Sequence, residues 1–150
     1  MIQRKQTLFL LELVFLSVSL LFVPSNMLFT REAAINVYLL PGSGAYVPST
    51  QLYLASGINF LCLVIALATV FLYKKRTLQV KLCYLMMVLW AVIALLIAFF
   101  PLAIFAEGVT RIENNYFGVV IAIFAILALF LAVRFIKKDI ELLKSADRIR

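Results

Sequence analysis

Four long runs without a charged residue constrain this chain more than any other feature of its sequence. Residues 13–30, a stretch that ends at residue 73, residues 82–106 and residues 114–133 contain no Asp, Glu, Lys or Arg. A run of about 18 such residues can cross a bilayer as a helix, because a helix satisfies its backbone hydrogen bonds internally. The hydrophobic share of 65% also exceeds that of soluble globular proteins. The sequence therefore predicts an integral membrane protein.

The expected fold class is all-α, a bundle of four transmembrane helices in a single domain, because four spans use most of the 150 residues. Two short β-prone runs, residues 34–40 and 45–48, flank a Pro/Gly turn. They predict a small hairpin-like loop between the first two helices. The predicted spans are residues 7–23, 52–73, 82–106 and 116–136, followed by a helical tail at 137–150.

Basic residues lie almost entirely in alternate connections. Twelve of the 14 Lys and Arg residues precede span one, separate spans two and three, or follow span four, whereas the other two are Arg31 and Arg111. By the positive-inside rule, we expect both termini and the middle loop in the cytoplasm. The net charge of +7 then reflects topology and contact with anionic lipid headgroups, and predicts no specific nucleic-acid partner.

Glu12 is the one carboxylate within a predicted span. An unpaired carboxylate in lipid is costly, so we expect Glu12 to face the interior of the bundle with a partner or a proton. Arg134, near the inner end of span four, matches its depth and is the predicted partner. The pair would be either a structural ion pair that sets helix register or a proton or ion site. The scarcity of other polar residues in the spans favours the structural pair.

A few neutral polar residues also lie within the spans. Ser19 shares a helix face with Glu12, and Ser56 shares a face of span two with Asn59. An asparagine in a span usually makes an interhelical hydrogen bond. Trp90 falls near the middle of the bilayer, and its indole N–H needs a partner there, so we expect it inside the bundle.

Small residues form stripes on two spans. Such stripes let helix backbones approach closely, either for internal packing of spans three and four or as a face for a partner subunit. The cytoplasmic tail mixes charges at helical spacing and is either a solvated helix end near anionic lipid or a docking helix for a partner. The stripes comprise Gly118, Ala122, Ala125 and Ala132 in span four and Ala91, Ala94 and Ala98 in span three. The tail residues predicted to dock are Lys144, Asp147, Arg148 and Arg150.

The two ends of the chain resemble a known family. The opening Met1-Ile2-Gln3-Arg4-Lys5-Gln6-Thr7-Leu8 is similar to that of a membrane-protein family of Bacteroidota, domain of unknown function 4293, whose members begin with Met-Ile-Gln-Arg followed closely by Gln-Thr. The segments Ile136-Lys137-Lys138-Asp139 and Ser145-Ala146-Asp147-Arg148-Ile149-Arg150 resemble the family's ending. The resemblance implies a four-span protein in the inner membrane of a Gram-negative bacterium, with the outer loops in the periplasm. It implies no activity, cofactor or catalytic residue.

No catalytic constellation is visible in the sequence. The chain has no histidine, no Gly-rich phosphate loop and no cluster of acids, so we expect neither an enzyme nor a cofactor or metal site. The leading hypothesis is a non-enzymatic accessory or scaffold subunit of a larger inner-membrane assembly with a protein partner. The alternative is a small-solute or proton-coupled transporter or channel that uses Glu12.

Overall fold

A computed structural model describes residues 3–30, 34–40, 50–72, 75–99, 109–114 and 116–148, and these residues form four helices and three short strands. The helices are α1 (Gln3–Phe22), α2 (Thr50–Phe71), α3 (Arg76–Ala98) and α4 (Phe117–Arg148), and the strands are β1 (Pro24–Thr30), β2 (Ala34–Tyr38) and β3 (Val109–Asn114). Segments long and apolar enough to cross a membrane occur in three helices: Leu52–Phe71, Arg76–Ala98 and Phe117–Leu143. The apolar part of α1, Thr7–Phe22, is shorter.

The helices form a ring in which each packs against two neighbours. Helices α1 and α3 both contact α2 and α4. Phe9 of α1 stacks on Phe135 of α4, with ring centroids 5.5 Å apart, near one end of the ring. Gly118 of α4 lies against Leu20 of α1 and Ile97 of α3 near the other end. Neighbouring helices are therefore antiparallel, the arrangement of an up-and-down bundle.

The third helix differs from its predicted span of residues 82–106. It begins at Arg76, and its last residue is Ala98. Charged residues are tolerated in its first turns because long side chains carry their charge outward along the helix surface, as at the exposed Lys81. Most of the predicted remainder, residues 100–106, lies outside the described residues.

A three-stranded antiparallel sheet lies where α1 ends and α4 begins. The strand order is β2-β1-β3, and Leu28 of the central strand pairs with Ile35 on one side and Ile112 on the other. The sheet adds three short strands to the predicted four-helix bundle, and two of them, β1 and β2, pair between the first two helices. The predicted strand at residues 34–40 exists as β2, but it pairs with β1, and its expected partner at 45–48 lies outside the described residues. We call this end of the bundle the sheet end and the opposite end, which holds the α2–α3 turn, the basic end.

One apolar core joins the helices and the sheet end. Leu39, just after β2, is 1% exposed and belongs to the same buried cluster as the helices. Trp90 is also 1% exposed, which confirms its predicted position inside the bundle. Buried neighbours of Trp90 on the same face of α3 include Met86, Ile93 and Ile97.

Small residues of α4 pack against large residues of its neighbours. Gly118, Ala122, Ala125 and Ala132 of α4 are all buried. The corresponding stripe on α3 is not its buried face, because Ala91 is exposed and Ala94 and Ala98 are only half-buried. That expectation is corrected for a steric reason: the space above Gly118 of α4 is filled by the large side chains of Ile97 and Leu20. Two facing stripes of small residues would leave cavities there.

The outer surface of the bundle is apolar. Phe15, Phe60, Phe71, Val88 and Phe130 are between 56% and 78% exposed. A water-soluble protein does not expose large apolar side chains along every helix, because burying them is the main driving force of folding in water. The exposed faces therefore match a hydrocarbon environment, in agreement with the length and composition of the three apolar segments.

Replacing Gly118 by leucine tests the close approach of the helices. A Cβ at Gly118 would lie 3.3 Å from two side-chain carbons of Ile97, whereas a Cβ at Gly57 meets nothing within 4 Å. We expect Gly118→Leu to destabilise the bundle by about 1–3 kcal/mol through overpacking. Gly57→Leu is the control and should be neutral or stabilising. Thermal unfolding in detergent measures both, and an equal loss in the two variants would contradict the packing described here.

Candidate functional site

Polar side chains buried within the described part of the bundle form two groups. One group lies between α1 and α2, and the other lies at the basic end among α2, α3 and α4. The buried polar residues are Ser17, Asn59, Thr69, Gln79 and Asp139.

Asn59 joins α2 to α1. Its Nδ2 donates a hydrogen bond of 3.0 Å to the backbone carbonyl of Ser17, and both residues are 1% exposed. Among the described residues, no group bonds the hydroxyl of Ser17 or the Oδ1 of Asn59. A buried oxygen without a hydrogen-bond donor costs about 1–3 kcal/mol. A hydrogen bond from water or from a polar ligand group to either atom would therefore be favourable. Neither residue is ionisable near neutral pH, so the pair cannot act as a general acid or base.

Helices α2 and α3 are joined near their short turn by a second amide contact. Gln79 Nε2 donates a 2.9 Å hydrogen bond to the carbonyl of Thr69. The Thr69 hydroxyl donates to the carbonyl of Ile65 in its own helix, at 2.6 Å. Both contacts use carbonyl oxygens of α2. A helix carbonyl oxygen that already accepts a backbone hydrogen bond can accept a second one, because it has two lone pairs.

An ion pair joins α3 to α4 at the basic end. Arg76 Nη1 lies 2.5 Å from Asp139 Oδ2. The same nitrogen donates a long 3.5 Å hydrogen bond to the backbone carbonyl of Asp139. The side chains of Arg76 and Asp139 are only 18% and 10% exposed, so water screens their attraction less than at an open surface. This contact fixes the last turns of α4 against the start of α3.

Lys137 and Tyr84 form a second, exposed contact between the same two helices. The ammonium of Lys137 donates to the Tyr84 hydroxyl at 3.0 Å. It also lies 5.4 Å from the centroid of the Tyr84 ring, within the range of a cation–π interaction. Lys137 is therefore engaged within its own chain.

The structure places Glu12 on the outer surface of α1, so the prediction that it faces the interior is wrong. The inner face of α1 is occupied by residues at spacings of three and four: Leu10, Leu13, Ser17 and Leu20. Glu12 instead lies on the exposed face, beside Leu8 and Phe15, which are 64% and 70% exposed.

Arg134 is exposed as well, and among the described side chains it forms no ion pair with Glu12. It lies two residues from Ala132 on one side and from Ile136 on the other, and both of these are 0% exposed. A separation of two residues is about 200° around a helix, so Arg134 points away from the core. The predicted pair is therefore not formed within the chain.

The other predicted residues have varied positions. Ser19 and Ser56 are half-buried at the edges of the core. Helix α4 continues as far as Arg148, and the described side chains do not include those of Lys144, Asp147 or Arg148. Arg150 lies outside the described residues.

Sequence reasoning missed Ser17 as the partner of Asn59, and it missed the contacts of Gln79 with Thr69 and of Arg76 with Asp139. Ser17 could have been found from its spacing to the leucines of α1, since residues 10, 13, 17 and 20 follow one helix face. The residues Thr69, Gln79, Arg76 and Asp139 carry no local signal, because their contacts join different helices. Among the described residues, no three His, Cys, Asp or Glu lie together as a metal site would require, and Cys62 and Cys83 are free and buried.

Breaking the ion pair should loosen the end of α4. We expect Arg76→Gln and Asp139→Asn each to destabilise the bundle by about 1–3 kcal/mol, because each leaves a partly buried charge without its partner. Hydrogen exchange should accelerate at residues 137–148 in both variants. The double variant should cost less than the sum of the two single changes, and Lys138→Gln, at an exposed position, serves as the control. Additive effects, or unchanged exchange in this segment, would contradict the role given to the pair.

One comparison with known proteins gives a match. No curated protein and no solved structure matches the chain significantly. The sequence profile described as Domain of unknown function (DUF4293) matches residues 2–149, almost the entire length. That description assigns no activity, ligand or site residue to the family. A match of this extent shows that the chain belongs to the family Domain of unknown function (DUF4293).

Proposed function

We propose that the chain is a non-enzymatic accessory or scaffold subunit of a larger assembly in the inner membrane of a member of the Bacteroidota. It crosses the membrane four times, with both termini in the cytoplasm. Helix α1 has 20 residues, about 30 Å at 1.5 Å per residue, which suffices for a span. Its packing along α2 and α4 supports a fourth span beside the three long apolar segments.

The exposed charges support the proposed orientation. Lys75, Lys81, Lys137 and Lys138 are all exposed near the basic end, as the positive-inside rule expects of cytoplasmic ends. The sheet end would then face the periplasm. At the basic end, the helical tail beyond the apolar segment of α4 provides a cytoplasmic surface for a partner.

The exposed position of Glu12 among apolar side chains is the observation that supports the scaffold proposal most directly. It lies about five residues, or roughly 8 Å of helical rise, beyond Thr7, where the apolar part of α1 begins. Its neighbours on the outer surface are apolar, and the described part of the chain gives it no ion-pair partner. A carboxylate facing hydrocarbon costs several kcal/mol, roughly 3 by membrane-insertion scales, unless another group bonds it. A helix of a neighbouring subunit would provide that group, which makes the exposed face of α1 an interface within the membrane.

The interior of the bundle gives less support to the alternative, a transporter or channel that uses Glu12. A transport path needs polar groups spaced along its length. Apart from two groups of buried polar side chains, the described core is apolar. These two groups are separated from each other and from Glu12. A route along the interface with another subunit remains compatible with this alternative, which keeps Glu12 as its essential residue.

The orientation predicts opposite locations for the two ends of the bundle. A reporter fused at residue 45 should be active only in the periplasm, and one fused after residue 150 only in the cytoplasm. Alkaline phosphatase and a fluorescent protein report the two locations, respectively. Two fusions on the same side would contradict the four-span arrangement.

The scaffold proposal predicts protein contact on the outer face of α1. A photoreactive amino acid at Leu11, which is 49% exposed beside Glu12, should form a discrete protein adduct in cells. The same group at Leu13, which is 1% exposed on the same helix, is the control and should form none. Glu12→Gln should reduce the yield of the Leu11 adduct severalfold. Adducts with lipid alone at Leu11 would overturn the proposal, and mass spectrometry identifies which adduct forms.

A further inference from the structure

Two cations lie at one level on the outer face between α3 and α4. The ion pair of Arg76 with Asp139 fixes these antiparallel helices against each other. Lys81 follows Arg76 by five residues, and Arg134 precedes Asp139 by five residues, in both cases toward the sheet end. Because the rise per residue is the same in the two helices, Lys81 and Arg134 are at the same depth. Both side chains are exposed.

A second contact, near the sheet end, gives the same register. A Cβ at Gly118 of α4 would lie 3.3 Å from side-chain atoms of Ile97 in α3. Lys81 and Arg134 each lie 16 residues from this contact, which is about 24 Å of helical rise toward the basic end. The apolar segment of α3 ends one residue after Ile97, and that of α4 begins one residue before Gly118. Since the hydrocarbon core of a bilayer is about 30 Å thick, the two cations lie near its opposite boundary, within reach of lipid phosphate groups.

The contact of Lys137 with Tyr84 brings a third cation and a hydroxyl to this level. Lys81 precedes Tyr84 by three residues, so the two are neighbours on the surface of α3. Arg134 is a neighbour of Lys137 on α4 for the same reason. Side chains tilt toward the N-terminus of their own helix, which directs Lys137 toward the sheet end and Tyr84 toward the basic end. Their 3.0 Å hydrogen bond therefore forms near the level of the other two cations. We call Lys81, Tyr84, Arg134 and Lys137 the α3–α4 cluster.

The α3–α4 cluster retains donors for an anion. Lys137 uses one of its three ammonium donors on the oxygen of Tyr84, and the hydroxyl proton of Tyr84 remains available to donate. In the described part of the chain, none of the three cations forms an ion pair.

The acids of the basic end do not neutralise this charge. Asp139 is held by Arg76. Glu141 is exposed and lies seven residues, about 10 Å of helical rise, beyond Arg134 toward the basic end. Among the described side chains, Glu141 makes no ion pair with Lys137. The cluster thus presents a net positive charge at the membrane boundary.

An apolar surface continues the same face toward the middle of the membrane. Val88 lies seven residues, or about two turns, from Lys81, and Leu127 is equally far from Arg134. Val88 and Leu127 are 62% and 52% exposed. Cations at the boundary with an exposed apolar surface beside them match the order of phosphate and acyl chains in a phospholipid.

We propose that the outer face of α3 and α4 binds an anionic phospholipid, with its phosphate at the α3–α4 cluster and its acyl chains against Val88 and Leu127. Basic sites between transmembrane helices recognise anionic headgroups in this way. The planar guanidinium of Arg134 suits two phosphate oxygens, and the ammonium groups add point charges. This inference goes beyond the scaffold role, because it requires only that the bundle lies in a bilayer.

A lipid fits this face better than a soluble anion does. Free phosphate would meet the cations but would leave the adjoining apolar side chains without a partner. A zwitterionic lipid has the acyl chains, but its own ammonium group offsets the attraction of its phosphate to the cluster. An anionic phospholipid supplies both the net charge and the chains.

Native mass spectrometry of the purified chain tests the site. Phosphatidylglycerol should bind more tightly than phosphatidylethanolamine. Lys81→Gln and Arg134→Gln should each weaken the binding of phosphatidylglycerol by about fivefold, the contribution of one basic residue near anionic headgroups. Lys75→Gln is the matched control, since it removes the same charge from an exposed position six residues before Lys81. An equal loss in the control, or equal binding of the two lipids, would overturn the inference.

A phosphatidylglycerol with a photoreactive acyl chain locates the bound molecule. Its adducts should concentrate on the peptides that contain Val88 and Leu127, and Arg134→Gln should reduce them by about fivefold. Adducts near Phe60, which is 64% exposed on α2, are the control and should not change. Equal labelling of both regions, with no effect of Arg134→Gln, would contradict a site at α3 and α4.

Competition distinguishes the lipid from other anions. Inorganic phosphate that displaces phosphatidylglycerol at equal concentration would show that the acyl chains are not recognised, and would overturn the lipid as ligand. A protein partner lost in Arg134→Gln, with lipid binding unchanged, would overturn it as well. Neither result affects the scaffold role, which the adduct at Leu11 tests independently.

Discussion

The close approach of α1 and α3 to the small residues of α4 is the contact on which the rest of the bundle depends. In hydrocarbon, apolar side chains gain little by leaving the solvent, so helix association relies on van der Waals packing and a few hydrogen bonds. Gly118 lets Leu20 and Ile97 reach the helix surface, and the buried alanines that follow continue the same groove. Because α4 touches both neighbours along this groove, it sets the distance between them.

The sheet follows from the same packing. Strand β1 begins two residues after α1 ends, and β3 ends three residues before α4 begins. Since α1 and α4 are antiparallel neighbours, the two strands emerge side by side and run in opposite directions, which is the arrangement an antiparallel ladder needs. The pairing of Leu28 with Ile112 therefore extends the α1–α4 contact beyond the helices. Neither connection alone could indicate this, because the partner strand belongs to the other loop.

The apolar segments, the strand at residues 34–38 and the interior position of Trp90 could be predicted from the sequence, because each depends on local composition. The buried faces of the helices could not. Leu10 and Leu11 are chemically identical and adjacent, yet they are 2% and 49% exposed. In water, polar residues mark the outer face of a helix, but these helices are apolar all round and give no such contrast. The ion pair of Arg76 with Asp139 was missed for a related reason: 63 residues separate the two partners.

Two kinds of polar side chain can be distinguished in the described residues. Some make contacts that hold the bundle together, and others lie exposed on its apolar surface. Inside, neutral amides donate to backbone carbonyls, as Asn59 does to Ser17 and Gln79 to Thr69. A helix offers such carbonyls at every turn, so a neutral donor finds an acceptor at small cost, whereas a buried charge needs one specific counter-charge. The expectation that Glu12 would face inward assumed that a single chain must satisfy every intramembrane charge. In the part of the core that the structure describes, most polar groups make neutral contacts, and the one ion pair found there lies at the basic end. Under the proposed scaffold role, the charge of Glu12 on the outer face of α1 therefore remains to bind a neighbouring subunit.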